Sequence, residues 1–236
     1  MTQRLRLNKN ADRRLKAGHL WIYSNEVDIK ETPLKNFAAG EPALVEASNG
    51  KTLGVAYVNP HSLICGRIMS RDPEMRLDRS LFVHRFNQAL ALRQRLFDQP
   101  FYRLIHGEGD LLPGLVIDRF GDVLVVQLNT AGMQALAEDI VDALEKVVKP
   151  SAIVFRNDTG GRRQEGLDAH VEVVKGTLPD EVLLVENGVT FAVPVLNGQK
   201  TGWFYDHRMN RARLAPYVKG KRVLDLFSYI GGWGVQ

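Results

Sequence analysis

The 236-residue chain has one cysteine, Cys65, and no apolar run long enough to span a membrane. A single cysteine excludes an internal disulfide and a zinc site built from several cysteines, and it fits a reducing compartment. The first residues lack the apolar core of a secretory signal peptide. These absences predict a cytoplasmic protein that is not embedded in a membrane.

Two common nucleotide-binding signatures are also missing or incomplete. A Walker A loop requires glycine directly before Lys-Thr, whereas Gln199 precedes Lys200 and Thr201, so this class of phosphate site is excluded. Gly232 and Gly234 begin a Gly-x-Gly-x-x-Gly dinucleotide fingerprint, but the sequence stops before its last glycine. A dehydrogenase therefore remains an alternative at this stage.

Acidic side chains offer no convincing metal site either. Glu108 and Asp110 lie in a Gly-rich acidic loop, and Asp118 follows in the next apolar segment. Carboxylates in such loops commonly cap turns by accepting backbone hydrogen bonds, so we interpret all three as structural. We predict no metal ligands, and we interpret Cys65, within an apolar run, as a small buried hydrophobe rather than a nucleophile.

Charge is unevenly distributed, although the formal net charge is only +4. Residues 1–20 carry six Lys/Arg against one Asp, and residues 199–222 carry seven against one. Residues 130–198, in contrast, carry six Lys/Arg against eleven Asp/Glu. Two basic segments around an acidic middle indicate a surface that binds a polyanion such as RNA.

The first 70 residues are rich in strand and turn signals. Asn49-Gly50 stands between two apolar segments, which is a strong hairpin signal. Trp21 lies in a short alternating segment, where it either stacks on an RNA base or belongs to the barrel core, and we predict the core. Several short strands in so little chain predict a small, partly closed barrel.

The middle of the chain alternates helical and strand patterns. Apolar residues at helical spacing predict amphipathic helices over 81–97 and 133–148. Residues 103–114 are predicted to form a loop that leads into two strands, and a further strand is predicted at 152–155. The order strand, strand, helix, strand, strand predicts a small α/β domain. A second Asn-Gly hairpin is predicted at 183–194.

The C-terminal segment carries the most informative pattern. Val223 to Phe227 is an apolar run that contains Asp225, and Gly231 and Gly232 follow closely. This predicts a buried parallel strand that enters a Gly-rich turn, where ligands of open α/β sheets bind. Glycine lets the backbone approach a ligand closely, and a carboxylate at the strand end can accept hydrogen bonds from ribose hydroxyls.

Two motifs together resemble the bacterial 23S ribosomal RNA cytosine-5 methyltransferases. They are Gln199-Lys200-Thr201-Gly202-x-x-x-Asp206-x-Arg208 and, about twenty residues later, Asp225-x-Phe227-Ser228-Tyr229-x-Gly231-Gly232. Ile230 departs from the family pattern, where a small polar residue, usually Thr, is expected. The segment from Gly18 to Val27 resembles the PUA domain of the same family, and residues 107–115 resemble its "EEHEE" domain.

The resemblance implies an α/β multidomain fold. Its parts are an N-terminal PUA-like β-barrel over residues 1–71, a central EEHEE α/β domain over 72–180, and the start of a Rossmann-like methyltransferase domain over 181–236. It also implies S-adenosylmethionine (SAM) as cofactor and 23S ribosomal RNA as partner. The implied cofactor-binding residues are Lys200, Thr201, Gly202, Phe204, Asp225, Phe227, Ser228, Gly231 and Gly232. The expected RNA contacts are Arg13, Arg14, Lys16, His19, Arg208 and Arg211.

The chemistry attributed to this family uses a cysteine thiolate that attacks cytosine C6. The resemblance places that thiolate beyond residue 236, so we expect no catalytic residue in this chain and no methyl transfer by the chain alone. We expect weak SAM binding at best, unless a homodimer completes the pocket. The alternative from another functional class is a non-catalytic RNA-binding adaptor with a PUA domain.

Overall fold

The structure is a computed structural model that describes residues 2–236. It contains two five-stranded sheets and a separate two-stranded hairpin. None of the helices in this described range is both long and apolar enough to cross a membrane. The connections between these units run over residues 71–78 and 177–182, and the domain boundaries stay predictions.

The first sheet is built from the N-terminal residues. Its strands are β1 Gln3–Arg6, β2 Trp21–Ile22, β3 Glu41–Glu46, β4 Thr52–Val58 and β5 Gly66–Ser70, and a short helix, α1 Asp12–Lys16, follows β1. The spatial order is β1-β3-β4-β5-β2, with β1 parallel to β3 and the remaining pairs antiparallel. A bridge between Leu7 and Val27 joins the two outer edges. This bridge closes the sheet in part, which agrees with the predicted partly closed barrel.

Glycine residues allow one sharp turn and one close contact between strands in this barrel. The β3–β4 hairpin turns at Asn49-Gly50, as predicted, and Gly50 has a φ of +84°. Gly54 in β4 has a φ of +141°, and a Cβ there would lie 2.1 Å from the carbonyl oxygen of Ser70. Strands β4 and β5 can approach this closely only because position 54 carries no side chain. Cys65 is fully buried in the barrel core, which confirms its interpretation as a buried hydrophobe.

Trp21 does not belong to the core, so that prediction was wrong. The side chain is 36% exposed, whereas its neighbour Ile22 is fully buried. Strand neighbours point to opposite faces, and here Ile22 takes the inward position. The indole therefore lies on the outside of the barrel.

The second sheet forms the centre of the molecule. Its strands are β6 Phe101–His106, β7 Leu115–Phe120, β8 Val123–Leu128, β9 Ala152–Asn157 and β10 His170–Gly176. They lie in the order β10-β9-β8-β7-β6. All neighbours are antiparallel except β8 and β9, which are parallel. A parallel pair requires a crossover connection, and helices supply it here.

Three helices accompany this sheet: α2 Arg79–Leu96, α3 Ala131–Ala135 and α4 Ala137–Val147. Asp78 caps α2 by accepting a hydrogen bond from the Ser80 backbone N–H at 2.9 Å, and the helix ends just before the Asp98-Gln99-Pro100 breaker. Helix α2 confirms the pattern predicted over 81–97. The helix predicted over 133–148 is divided into α3 and α4 at Leu136, which leaves the helical conformation.

Strand β6 corrects the sequence-based expectation of a loop over 103–114. Tyr102 and Leu104 are buried, whereas Phe101 and Arg103 are half-buried, which is the alternation of an edge strand. The glycines and acids that dominate the local composition come after β6, in a short 3-10 turn at Gly107–Asp110. Their composition is typical of a loop, and the strand pattern of β6 beside them is only six residues long.

The C-terminal residues pack against the opposite face of the second sheet. The predicted Asn-Gly hairpin is present, with β11 Leu183–Glu186 paired to β12 Val189–Ala192. Phe191 and Trp203 join Phe120 and Val154 of the sheet in one apolar cluster. The sheet therefore lies between α2 and α4 on one side and this hairpin on the other. A last helix, α5 Arg208–Val218, follows.

Val223 to Phe227 does not form the predicted buried strand. Leu224 and Leu226 are largely exposed, and Phe227 is 102% exposed. Within residues 2–236 no strand lies beside this segment to pair with it. A parallel strand is stable only when neighbouring strands satisfy its backbone groups and cover both faces, and apolar composition cannot replace those neighbours.

Candidate functional site

The two motif segments of the C-terminal region meet through Tyr229. Its hydroxyl accepts a hydrogen bond from the Gln199 backbone N–H at 3.0 Å and donates one to the Gly202 carbonyl at 3.2 Å. Burial raises the pKa of Tyr229 above its ordinary value of 10, which further favours the protonated hydroxyl that donates here. A Cβ at Gly198 would lie 2.3 Å from the Tyr229 hydroxyl, so glycine is required there for this approach. Segments thirty residues apart in sequence are thereby held together.

A cavity of about 170 Å³ lies between these segments. Four of the predicted cofactor residues line it: Phe204, Phe227, Ser228 and Gly232. Gly232 approaches the Trp203 ring so closely that an added Cβ would lie 3.0 Å from it. The structure therefore brings part of the predicted site into one cavity.

Aromatic rings form one wall of this cavity. Phe204 stacks on His207 at 5.7 Å between ring centroids and meets Tyr229 edge-on at 5.9 Å. His207 in turn lies 5.7 Å from Trp233. The wall can pack against a flat ligand group, and Lys200 places its ammonium group 4.2 Å from the Phe204 ring centroid.

Lys200 also pairs with Asp206, at 3.8 Å between Nζ and Oδ1. Asp206 also lies 3.6 Å from Nε2 of His207. Arg208 turns inward to Glu186. The exposed Lys200–Asp206 pair leaves the lysine accessible to an anionic ligand group.

Thr201 and Gly202 are buried and serve the fold in this structure. The Thr201 hydroxyl donates to Oδ2 of Asp118 at 2.6 Å, and Arg103 holds the same carboxylate through two hydrogen bonds of 2.8 and 2.9 Å. These contacts fix the Gln199–Gly202 segment on strand β7. They place Thr201 behind the cavity, where it supports the segment that carries Lys200.

Asp225 is the predicted ligand for ribose hydroxyls. Its Oδ2 atom is buried, and no group within residues 2–236 hydrogen-bonds to it. Gly234 packs beside it, so an added Cβ would lie 3.4 Å from that oxygen. A buried carboxylate oxygen without a partner fits a site that a hydroxyl or amino group of a ligand would complete. Asp225, Gly231 and Lys200 do not line the cavity itself.

Sequence reasoning missed the residue that holds this region together, Glu186. Its buried carboxylate accepts hydrogen bonds from Trp203 Nε1 at 2.9 Å and Arg211 Nε at 2.7 Å, and it pairs with Arg208 Nε at 3.3 Å. A signal was present, because Leu184 and Glu186 occupy the same inward positions of β11. That alternation would have indicated an inward-facing acid in need of basic partners.

Arg211 and Arg208, two of the predicted RNA contacts, therefore both pair with the buried Glu186. Arg211 is 4% exposed and stacks over Trp203 at 4.5 Å. Arg208 lies over Phe97 at 4.8 Å and donates to the Phe101 carbonyl. Guanidinium groups that are paired and desolvated in this way cannot reach a phosphate without leaving their carboxylate, so the structure argues against direct RNA contacts by these two residues.

The N-terminal RNA candidates have a different environment. Arg13, Lys16 and His19 are exposed on or just after α1, and Lys16 pairs only with the neighbouring Asp12. Arg14 is half-buried, because it pairs with Glu26 at 3.2 Å and lies over the Tyr23 ring at 4.9 Å. Three of the four side chains are thus available to phosphates.

Acidic residues of the Gly-rich loop accept hydrogen bonds within the fold. Asp110 pairs with Arg93 through two hydrogen bonds of 2.7 Å and accepts the His106 backbone N–H at 2.6 Å. Glu108 accepts the indole N–H of Trp21 at 2.6 Å. Within the described residues 2–236, no three His, Cys, Asp or Glu side chains come together as a metal site.

Family models match both parts of the chain. The model of the PUA-like domain matches residues 5–71, and the model of the S-adenosylmethionine-dependent methyltransferases matches residues 102–236. The first match confirms the predicted PUA-like domain. The second covers the central sheet together with both C-terminal motifs.

Similar proteins include two that are named ribosomal RNA large subunit methyltransferase I. The protein from Aliivibrio fischeri is 39% identical over 239 residues, which cover 100% of this chain and 60% of that protein. The protein from Vibrio cholerae is 38% identical over 240 residues, covering 100% of this chain and 59% of that protein. The chain thus spans about 60% of the length of these curated relatives.

Solved structures show the same fold. A Streptococcus mutans protein classed as a SAM-dependent methyltransferase has a TM-score of 0.78 at 22% identity, covering 99% of this chain and 60% of that one. A methyltransferase solved in complex with SAH has a TM-score of 0.82 at 23% identity, covering 99% and 59% of the two chains. At this level of identity the likeness supports the fold alone.

Proposed function

We propose, because this chain belongs to the family of S-adenosylmethionine-dependent methyltransferases, that it contributes to methylation of large-subunit ribosomal RNA. The names of the relatives support this substrate class, and the PUA-like domain fits an RNA partner. The proposal assigns RNA binding to the N-terminal barrel and part of the SAM site to the C-terminal motifs.

The observation that carries the proposal is the meeting of the two motif segments around the 170 Å³ cavity. Lys200 supplies a cation for the SAM carboxylate, and the Phe204 wall supplies an apolar surface. Asp225 supplies a buried oxygen that needs a donor, which a ribose hydroxyl offers. When bound, SAM provides an electrophilic methyl group. The residues present fit such a ligand, and we propose them as its contacts.

We further propose cytosine C5 as the methylated atom, as the sequence resemblance implies. That reaction needs a thiolate, and Cys65 is unsuited to supply it. Its side chain is fully buried in the barrel core, and burial raises the pKa of the thiol to about 12. We therefore propose that Cys65 is not the nucleophile of this reaction, and we expect no methyl transfer by the 236 residues alone.

Two measurements test the cofactor and catalytic parts. Calorimetry with SAM is expected to show weak binding that decreases further in Asp225→Ala, whereas micromolar binding that survives Asp225→Ala would contradict the assigned site. Incubation of the 236-residue chain with 23S ribosomal RNA and radiolabelled SAM is expected to leave the RNA unlabelled. Labelling at cytosine C5 by this chain would overturn the assignment of the nucleophile.

RNA binding is tested by its salt dependence. Arg13 and Lys16 are exposed, and each phosphate that they neutralise releases condensed counterions. The double variant Arg13→Ala/Lys16→Ala is expected to weaken binding to 23S ribosomal RNA fragments and to flatten the plot of log affinity against log salt by about 1 to 2. The matched control is Arg95→Ala/Lys146→Ala, which removes two exposed charges outside the basic segments 1–20 and 199–222. An equal effect of both pairs would indicate non-specific attraction.

Dimerisation and a cytoplasmic location stay predictions. Sedimentation of the purified chain with and without SAM checks whether a second copy completes the cofactor site. A monomer under both conditions would remove the dimer from the proposal.

A further inference from the structure

A groove of about 710 Å³ separates the N-terminal barrel from the central sheet. It is distinct from the cavity between the C-terminal motifs, and neither sequence motif points to it. Among the residues that line it are Trp21, Tyr23, Leu63, Glu108, Asn129 and Gln164. One wall is therefore largely aromatic and apolar, and the other carries polar groups.

The two walls are fixed relative to each other by Glu165. Its carboxylate accepts hydrogen bonds from Asn59 Nδ2 at 2.8 Å, Ser62 Oγ at 3.0 Å and Arg67 Nη2 at 2.8 Å, all of which belong to the barrel. The Tyr57 hydroxyl adds a hydrogen bond of 2.7 Å to the Pro113 carbonyl beside the central sheet. Because these contacts are buried and mutually satisfied, the groove is a preformed feature of the fold.

Trp21 is held in one orientation at this groove. Its indole N–H donates to Oε1 of Glu108 at 2.6 Å, a short hydrogen bond to a charged acceptor that spans the groove. The ring remains 36% exposed, although burial of an indole is strongly favourable. An aromatic ring whose edge is fixed and whose surface is partly open is suited to stack on a flat partner.

Charge around the groove indicates which partner fits. Arg13, Lys16 and His19 are exposed just before Trp21 in the chain, and Arg163 is exposed on the segment of the opposite wall. Glu108 is exposed within the groove itself. Inside the groove Arg67 is already paired with Glu165, whereas the carboxylate of Glu108 is exposed and can accept hydrogen bonds from the exocyclic amino group of a base.

We propose that this groove binds one unpaired nucleotide of the RNA, with its base stacked on Trp21 and its amino group directed at Glu108. This proposal rests on the proposed RNA function. It adds where on the protein a nucleotide binds and which class of base the site accepts. Stacking on aromatic side chains is how proteins hold single-stranded RNA bases, and Glu108 makes the site prefer cytosine, adenine or guanine over uracil.

The experiment measures binding of fluorescent oligocytidylate and oligouridylate to the whole 236-residue chain at fixed salt. Wild type is expected to prefer oligocytidylate. Trp21→Ala should weaken that binding about tenfold, since base–aromatic stacking is of this size. Glu108→Gln keeps an acceptor for the indole but loses the charge, so it should reduce the preference between the two oligonucleotides. The control is Ile29→Ala, which removes an exposed apolar side chain of the same barrel outside the groove.

A second variant avoids any effect of Trp21→Ala on folding. Gly161 lines the groove, and an added Cβ there meets no atom within 4 Å, so Gly161→Leu is expected to place its side chain in the groove without a clash at Cβ. It should weaken oligocytidylate binding to a similar degree. If wild type binds RNA while Trp21→Ala and Gly161→Leu bind equally well, the groove proposal fails and the proposed function stands. If wild type binds no RNA, both fail.

Discussion

The hydroxyl of Tyr229 accepts the backbone N–H of Gln199 at 3.0 Å, and this contact joins the two motifs from which the cofactor site is proposed. The tyrosine belongs to the loop after Asp225, and the glutamine opens the segment that carries Lys200. Neither motif alone encloses a cavity. Together they enclose one because Gly198 leaves room for the tyrosine hydroxyl.

Gly198→Ala is therefore expected to separate the two motif segments. The added Cβ would lie 2.3 Å from the Tyr229 hydroxyl and 2.5 Å from the Pro194 carbonyl, so the loop must move. We expect faster proteolytic cleavage within residues 219–236 and a change in tryptophan fluorescence, because Trp203 and Trp233 border the cavity. Gly160→Ala is the matched control, since its Cβ meets nothing within 4 Å. Equal cleavage rates for both variants would contradict the contact.

Glu186→Ala is expected to destabilise the C-terminal region by about 3 kcal/mol, because it leaves the buried Arg211 without its carboxylate. Urea unfolding gives the free-energy difference, and hydrogen exchange of α5 shows whether the loss is local. The control is Glu31→Ala, which breaks an exposed pair with Arg6 at 3.8 Å and should cost less than about 0.5 kcal/mol. Similar losses for the two variants would show that Glu186 does not organise this region.

Gly132→Ala tests the junction between the barrel and the central sheet. A Cβ at position 132 would lie 2.1 Å from Cγ of Tyr57, and this buried ring cannot move freely. We expect a loss of about 1–3 kcal/mol from overpacking, seen as a lower thermal unfolding midpoint. In a Tyr57→Leu background the loss should shrink, because the smaller side chain makes room. An equal loss of stability in both backgrounds would show that the added Cβ does not act through the Tyr57 ring.

The Glu165 cluster should make stability depend on pH. Burial opposes ionisation of Glu165, but Arg67 and the hydrogen bonds from Asn59 and the Ala131 N–H outweigh it, so the pKa is lowered from its ordinary value of 4.5. A lowered folded-state pKa means that the carboxylate stabilises the fold above that ordinary value. This contribution is lost as the pH falls through the folded-state pKa.

The free-energy difference between wild type and Glu165→Gln should therefore be largest near neutral pH and shrink below pH 4.5. Urea unfolding across this range measures it. The exposed Glu172, near His170, provides a control in Glu172→Gln, which should differ little from wild type throughout. If the free-energy difference between wild type and Glu165→Gln grows on acidification, the lowered pKa of Glu165 in the folded state is contradicted.

The sequence by itself determined the local elements and the two motifs. Both Asn-Gly hairpins, the extent of α2 and the burial of Cys65 followed from patterns that a few neighbouring residues specify, because turn chemistry and hydrophobic periodicity act over short range. The partly closed barrel followed from the number and spacing of its strands. The motif residues Lys200 and Asp225 were also identified at this level.

Only the tertiary structure decided which of these residues line the cavity and which support the fold. Thr201 meets Asp118 from 83 positions away, and Trp21 meets Glu108 from 87 positions away. Local patterns cannot give such pairings, because burial and hydrogen-bond partners depend on how distant elements pack. Strand formation by residues 223–227 depends in the same way on distant elements. Their apolar sequence favours a strand, but they lie exposed because no strand within residues 2–236 pairs with them.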